Sequence, residues 1–453
     1  MQVLRVWVAL GVLLSLTTSV AVAASWIVLG SFEGQWVYGY EYGQSLTVRT
    51  FLTFLLVSVA SGALLRFTVP QPTAVRRDWA IILMWLAAGL ALQVMLRSAT
   101  PFDVETLFVS DTANSFYGFS QQYDAGDLIT RFNRVGPQAP WHARGNMPGK
   151  VMLMYALRLA TSRTDVLPWL AVMVSNLGAV FVYLFVRELF ADRKAALYSS
   201  VLYLFVPAKL LFFPLMNTVT PVFALASACI LLRWLATGRW QWAVALGITL
   251  YLLVFFEPLP LVMGLLFAAL SLRAITIGQI SWRRYTAQTL VVVSTFFASA
   301  EAVHITTNFD LLQALRQTSA HAVEFNATEG RPYGVWVLGN LEEFLFGIGP
   351  CQAVLFAGAL LSGLRGHAAW RSSLTQPITT LCGGLLAVLL AVDLMGINRG
   401  EVIRLWIFLA CFFQIPAAWV CARFDGAAAI TLVVSASALL VALATSMIRF
   451  VVP

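Results

Sequence analysis

Long apolar runs alternate with short polar loops along this chain, and the pattern predicts a bundle of membrane-spanning helices. A helix needs about 20 residues to cross a hydrocarbon core of about 30 Å. The apolar runs cover residues 4–30, 47–66, 79–97, 167–187, 195–213, 219–236, 241–256, 259–273, 286–304, 342–363, 377–395, 404–422 and 426–449. We therefore predict an all-α, polytopic transmembrane helical bundle of about 11 to 13 spans.

The composition supports membrane insertion. The chain has 453 residues, of which 60% are hydrophobic and only 11% are charged. A soluble protein carries about 25% charged residues. With neither a linker nor a stretch typical of a soluble domain, residues 1–453 are predicted to form a single integral-membrane domain.

The Lys and Arg residues of the short loops predict the orientation, because cytoplasmic loops carry an excess of them. With the spans above, one side of the membrane receives Arg66, Arg76, Arg77, Arg187, Arg193, Lys194, Arg233, Arg239, Arg273, Arg283, Arg284, Arg365, Arg371 and Arg423. We expect a multi-pass protein of the cytoplasmic membrane with its N-terminus inside. The net charge of +8 follows from this asymmetry and requires no nucleic-acid partner.

The first apolar run permits two interpretations. Met1–Ala24 has a basic start, an apolar middle and a small-residue end, as secretory signals do. Ser25–Gly30 prolongs the run beyond any such cleavage point, so we favour a retained first helix. Either interpretation leaves the orientation of the other spans unchanged.

A polar island interrupts the apolar pattern between the third and fourth spans. Residues 98–150 hold five of the acidic residues and one of the four histidines, and we predict them to be an outer catalytic loop. Within and beside it, 110–131 and 148–159 are predicted to be juxtamembrane helices. Residues 305–341 form a second predicted outer loop.

Asp111 is the candidate catalytic residue of the island. A carboxylate fixed at a membrane boundary can act as a general base, or can hold a divalent cation such as Mg²⁺ or Mn²⁺ against a phosphate. The alternative is a solvated loop charge. Whether a metal is needed stays open.

A cluster of cations follows in the segment HARGNMPGK, which contains His142, Arg144 and Lys150. Cations before the start of a helix suit a phosphate or diphosphate group, since helix N-termini also attract anions. Binding of lipid headgroups by Arg144 and Lys150 is the alternative.

The second outer loop and the segment NRGEVIRLW contribute further candidates. His321, Tyr333 and Trp336 can bind substrate, with the aromatic rings stacking on a sugar or serving as interfacial anchors. Arg404 opens an apolar run at the outer boundary, where it can clamp a lipid-linked phosphate. A purely structural pairing of Arg404 with Glu401 is the alternative.

At these residues the chain resembles the bacterial branch of the GT-C superfamily of integral-membrane glycosyltransferases. The acidic position of that family corresponds to Asp111, and 142–149 is similar to its HxxxHPPG motif, with Asn146 and Met147 as departures. The segment 331–344 resembles an RPY-W-N-F pattern, and GEVIRLW resembles GEVERxW.

This resemblance implies transfer of a sugar, with inversion, from a polyprenyl-phosphate-linked donor to a glycan, glycolipid or protein acceptor at the outer face. Asp111 would be the base, and Arg404, His142, Lys150 and Arg144 would hold the donor phosphate. His321, Tyr333, Trp336 and Glu401 would contact the substrate.

Two rival functions remain from the sequence. A transporter or flippase of a lipid-linked or small polar solute would place charges on a path through the bundle, for which Lys209, Glu257 and Asp393 are the candidates. A non-catalytic scaffold that binds lipid phosphate is the third possibility.

Overall fold

The computed structural model describes residues 2–30, 42–43, 46–68, 75–98, 100, 102–365 and 375–451. These residues form α-helices joined by short turns. In chain order the helices are α1 Gln2–Ala23, α2 Val48–Thr68, α3 Val75–Arg97, α4 Val104–Val109, α5 Phe116–Gln122, α6 Ala125–Val135, α7 Trp141–Arg144, α8 Gly149–Ala160, α9 Leu167–Asn176, α10 Gly178–Phe190, α11 Arg193–Leu204, α12 Pro207–Leu211, α13 Thr220–Thr237, α14 Trp240–Phe256, α15 Gly264–Thr276, α16 Trp282–Thr307, α17 Leu311–Thr328, α18 Tyr333–Ile348, α19 Pro350–Arg365, α20 Pro377–Leu394, α21 Val402–Leu405, α22 Ile407–Ala422 and α23 Ala428–Met447.

The predicted all-α, multi-pass architecture is confirmed. Among the described residues, 10 helical segments are long and apolar enough to cross a membrane, or 11 if the bent pair α18–α19 counts as one span. Two shorter apolar helices, α14 and α22, match further predicted spans. The first helix ends at Ala23, so the residues that follow it up to Gly30 do not continue the predicted first span as helix.

One predicted span differs from the structure. Residues 342–363 do not form a single helix, because α18 and α19 meet at an angle of 97°. Gly349 joins them with φ +95°, and a Cβ there would lie 2.3 Å from Oε1 of Gln352. Pro350 starts α19, and the residue before a proline avoids the α conformation. The bend leaves α18 free to approach the outer loops.

Charged residues mark one end of the bundle. Arg193 contacts Asp78 at 2.6 Å, Arg423 contacts Asp192 at 2.7 Å, and Lys194 donates to the backbone oxygen of Phe424. Three loops that the sequence assigns to the same side therefore meet. Since α3 leads away from this end, the polar island begins at the opposite one.

The island folds as short helices over a small apolar core. Phe108, Phe119, Leu128, Phe132 and Met154 are buried together. The predicted helix over 110–131 is divided into α5 and α6 by a break at Tyr123 and Asp124, whereas α8 matches the predicted helix over 148–159. The second outer loop, 305–341, is mostly helical, since it contains α17 and the start of α18.

Candidate functional site

The carboxylate of Glu401 lies between two arginines. Arg331 donates to Oε1 at 2.9 Å, and Arg404 donates to Oε2. Glu401 itself has φ +59°, a backbone conformation that non-glycine residues adopt only when their surroundings impose it. Two cations thus share one anion, so the cluster of Arg331, Arg404 and Glu401 has a net positive charge.

Glu401 is ionised in this arrangement. Burial alone would raise the pKa of its carboxyl, but the charges of Arg404 and Arg331 outweigh burial and lower that pKa to about 2. The carboxylate therefore stays negative over the physiological range and holds both guanidinium groups in place.

His142 lies on the other side of Arg404, with its Nε2 3.3 Å from the guanidinium. Arginine can only donate, so Nε2 accepts and the ring proton resides on Nδ1. Burial, with Arg404 as the next cause, lowers the pKa of His142 to about 3. The ring is therefore neutral and adds no charge to the site.

Asp111 belongs to the turn that contacts His142. The backbone N–H of His142 donates to Ser115 Oγ at 3.2 Å, and this hydroxyl donates to the backbone oxygen of Asp111. The Asp111 side chain is exposed and lies against α5, where a Cβ at Gly118 would be 2.1 Å from Oδ1. The structure thus joins the segments of Asp111, His142 and Arg404, while the Asp111 carboxylate faces α5.

Side chains of α18 hold the loop that carries Glu401. Asn340 donates to the backbone oxygen of Asn398 at 3.0 Å and accepts from the Gly400 N–H at 2.9 Å. Glu343 accepts from the Val402 N–H at 2.9 Å. These bonds set the backbone on both sides of Glu401, so the two segments of the family resemblance meet here.

The two aromatic candidates of α18 also support this loop. Trp336 is only 1% exposed and packs on Gly400, whose φ is +80° and where a Cβ would lie 2.7 Å from the indole ring. The Tyr333 hydroxyl donates to the backbone oxygen of Leu394 at 2.9 Å. Burial leaves Trp336 no open face for stacking on a sugar, so its placement favours a supporting role.

Lys150 is fully buried away from the cleft. Its Nζ lies 3.0 Å from Oε2 of Glu257 and donates to Oδ1 of Asn146 at 2.7 Å. Burial lowers the pKa of Lys150, while the charge of Glu257 opposes that effect. Asn146 in turn donates to the backbone oxygen of His142 at 2.6 Å. Lys150 is therefore placed to position the His142 segment and not to contact a phosphate directly.

The remaining predicted residues lie at the rim. Arg144 is exposed and lies 3.8 Å from Glu324. His321 packs against Gly145, where a Cβ would be 2.9 Å from its ring. Burial, followed by the charge of Arg144, lowers the pKa of His321. His321 thus faces the site, whereas Arg144 flanks it.

These residues surround a polar cleft with an empty volume of about 630 Å³. The residues that line the polar cleft include His142, Asn146, His321, Phe325, Asn326, Arg331, Asn398, Arg399, Glu401 and Arg404. The sequence analysis did not place Phe325 or Asn326 in the site. Asn398 and Arg399 belong to the candidate segment NRGEVIRLW, but the sequence assigned them no role.

An apolar groove of about 490 Å³ adjoins the polar cleft. The two share Asn146, His321, Asn398 and Leu405. The other walls of the apolar groove include Leu259, Leu261, Val262, Leu315 and Met395. A cationic cleft therefore continues directly into a surface suited to an apolar chain.

The described residues contain no group of three or more His, Cys, Asp and Glu side chains that could hold a metal ion. The three charges of the transporter hypothesis are each bonded separately: Lys209 to Asn176 at 2.6 Å, Glu257 to Lys150, and Asp393 to Asn340 at 3.2 Å. Their separate pairing does not favour a shared solute path.

Comparisons with known proteins give a limited result. No family model matches the chain, and no curated protein matches its sequence. In fold the chain is similar to the crystal structure of ArnT from Cupriavidus metallidurans in the apo state, at 15% identity and a TM-score of 0.46. The match covers 76% of this chain and 60% of ArnT, so the chain spans less than two thirds of that protein.

Proposed function

We propose that this protein is a membrane glycosyltransferase of the GT-C type. It moves a sugar from a polyprenyl-phosphate donor to an acceptor hydroxyl at the outer face of the cytoplasmic membrane. The observation that carries the proposal is the position of Arg404. This guanidinium is held between ionised Glu401 and neutral His142 in a cleft that continues into an apolar groove.

The donor side is supported by charge and by shape. Nε of Arg404 is buried and has no hydrogen-bond partner within the described part of the chain. A phosphate oxygen would supply that partner, and buried polar groups normally have one. The prenyl chain would lie in the apolar groove, along Leu259, Leu261 and Leu315. A single lipid phosphate would then place its phosphate in the polar cleft and its prenyl chain in the apolar groove.

Asp111 is the proposed general base. It accepts the proton of the acceptor hydroxyl while that oxygen attacks the anomeric carbon, and the bond from that carbon to the phosphate oxygen breaks. Polyprenyl phosphate leaves with the bond electrons next to Arg404. Because the hydroxyl oxygen attacks in line with the departing phosphate, the configuration at the anomeric carbon is inverted. Positioning and neutralisation of the phosphate charge supply most of the acceleration. The link from Asp111 through Ser115 to His142 supports this assignment.

The proposed outer location rests on the distribution of charge. The positive loops meet at the end of the bundle marked by Asp78, Asp192 and Arg423, which we assign to the cytoplasm together with the N-terminus. The polar cleft lies at the other end.

Donor turnover in membranes tests the proposal. Membranes containing the protein are given a panel of radiolabelled polyprenyl-phosphate sugars, and release of polyprenyl phosphate is measured. Asp111→Asn should slow release by about 100-fold or more, since a positioned base contributes about 10²–10⁴-fold. Asp165→Asn, an exposed aspartate paired with Arg163, is the matched control and should leave release unchanged.

Two results would contradict the proposal. If wild-type membranes consume none of the donors, the protein is not this enzyme. If Asp111→Asn turns over donor at nearly the wild-type rate, Asp111 is not the base.

A further inference from the structure

A second polar cavity lies among the outer helices, apart from the polar cleft and the apolar groove. It has an empty volume of about 1130 Å³ and lies between α5, the start of α6 and the end of α8. We call it the α5–α8 groove. Its lining includes Gln121, Gln122, Asp124, Asp127, Tyr155 and Arg158. It shares none of its lining residues with the other two cavities.

The lining suits hydroxyl groups. Gln121, Gln122, Asp124 and Asp127 are all exposed, and their amides and carboxylates offer donors and acceptors side by side. Sugar hydroxyls both donate and accept, so they can pair with either kind of group.

The charge of the groove separates its ligand from the donor. Arg158 donates to the backbone oxygen of Ser120 at 2.7 Å, and it lines the groove together with two carboxylates, Asp124 and Asp127. The sum over these three side chains is one negative charge, whereas the polar cleft is positive. An anion such as a lipid phosphate is disfavoured in the groove, but a neutral sugar chain is not.

The groove leads to Asp111 along one face of α5. Gly118 and Gln122 are four residues apart in this helix, so they lie on the same face, about 6 Å apart along the axis. The Asp111 carboxylate rests on Gly118, and Gln122 lines the groove. A chain bound at Gln122 therefore ends about one helical turn from the carboxylate.

We propose that the α5–α8 groove binds the sugar chain of a neutral glycan acceptor and directs one of its hydroxyls to Asp111. This inference rests on the proposed function, because it supplies the second substrate of that reaction.

Two substitutions remove groove contacts without disturbing the fold. Gln122 is exposed at the end of α5, so Gln122→Ala takes away only an amide. Asp124 precedes α6, where its side chain makes no capping hydrogen bond; Asp124→Asn removes the charge and keeps a residue suited to that position. Gln313→Ala, an exposed amide on α17, is the matched control.

Saturation-transfer NMR on the full chain in nanodiscs tests the inference. The probes are maltotriose, chitotriose and mannotriose as neutral oligosaccharides, and a hyaluronan tetrasaccharide as an acidic one. At least one neutral probe should bind the wild type more tightly than the acidic probe. Its Kd should rise about tenfold in the Gln122→Ala/Asp124→Asn double variant, from the loss of the Gln122 amide and of the stronger, charged acceptor at Asp124, and should not change in Gln313→Ala.

The inference is overturned if no neutral probe binds, if the double variant binds as tightly as the wild type, or if the acidic probe binds best. The same preparations are assayed for release of polyprenyl phosphate from donor. If glycan binding is absent but donor is still turned over, only the proposed acceptor role of the groove is refuted. If donor is not turned over either, the proposed glycosyltransferase function is refuted as well.

Discussion

Nε2 of His142 lies 3.3 Å from a guanidinium nitrogen of Arg404, although the two residues are 262 positions apart. Because arginine only donates, the contact requires a neutral imidazole. Arg404 therefore has a partner that orients it without cancelling its charge. Glu401 is the only anion in direct contact with Arg404 among the described residues, which leaves the cleft attractive to a phosphate.

The low pKa of His142 predicts a pH dependence of stability. The folded pKa is about 3 and the ordinary value is 6.5, so between these values the unfolded chain binds the extra proton. The contribution of His142 to the free energy of unfolding should therefore be fully present above about pH 6.5 and should be lost as the pH is lowered towards 3. Thermal unfolding of the detergent-purified protein at several pH values measures this.

A matched pair of variants isolates His142 in that experiment. His142→Gln cannot titrate, so its unfolding temperature should decline less below pH 6.5 than that of the wild type. His304→Gln, at the end of α16, should decline as the wild type does. Parallel curves for wild type and His142→Gln would refute the assignment.

The buried pair of Lys150 and Glu257 predicts strong coupling. Lys150→Met leaves the Glu257 carboxylate buried without its cation, which costs about 3–5 kcal/mol. Lys150→Met/Glu257→Met removes both charges and should be more stable than Lys150→Met alone. A double-mutant cycle on thermal unfolding checks this; a double variant as unstable as the sum of the two single variants would contradict the pairing.

Gly400 predicts a backbone requirement next to Glu401. Its φ of +80° and the Trp336 ring, 2.7 Å from where a Cβ would be, both oppose a side chain. Gly400→Ala should destabilise the protein by about 1–3 kcal/mol and weaken donor binding, since the backbone of Glu401 would shift. Gly383→Ala in α20, where a Cβ meets nothing within 4 Å, should not destabilise the protein and should leave donor binding unchanged. Equal unfolding temperatures for the two variants would show that the loop tolerates a side chain.

The sequence was sufficient to predict the parts of the fold that follow from local patterns. Apolar length predicts the spans, and the order of Arg331, Asn340, Glu401 and Arg404 in two family-like segments indicated residues that the structure brings together. The bend at Gly349 was not predicted, because hydropathy is the same whether an apolar run is straight or bent.

Contacts between distant helices could not be read from the sequence. Lys150 stands among phosphate-binding candidates in the chain, but it forms an ion pair with Glu257, which lies 107 positions later. An aromatic residue in an outer loop looks the same whether it stacks on a sugar or packs on Gly400, as Trp336 does. Such choices depend on packing between elements, which one sequence does not encode locally.

Mass spectrometry of lipids that copurify with the protein shows whether Arg404 binds the phosphate of a polyprenyl donor. The wild type should carry polyprenyl phosphate, and Asp111→Asn should carry the sugar-bearing form because it cannot consume it. Arg404→Ala should lose both by at least about tenfold, since a hydrogen bond to a charged group contributes about 1.5–3 kcal/mol. Equal amounts of polyprenyl phosphate on wild type and Arg404→Ala, or none on either, would contradict the account.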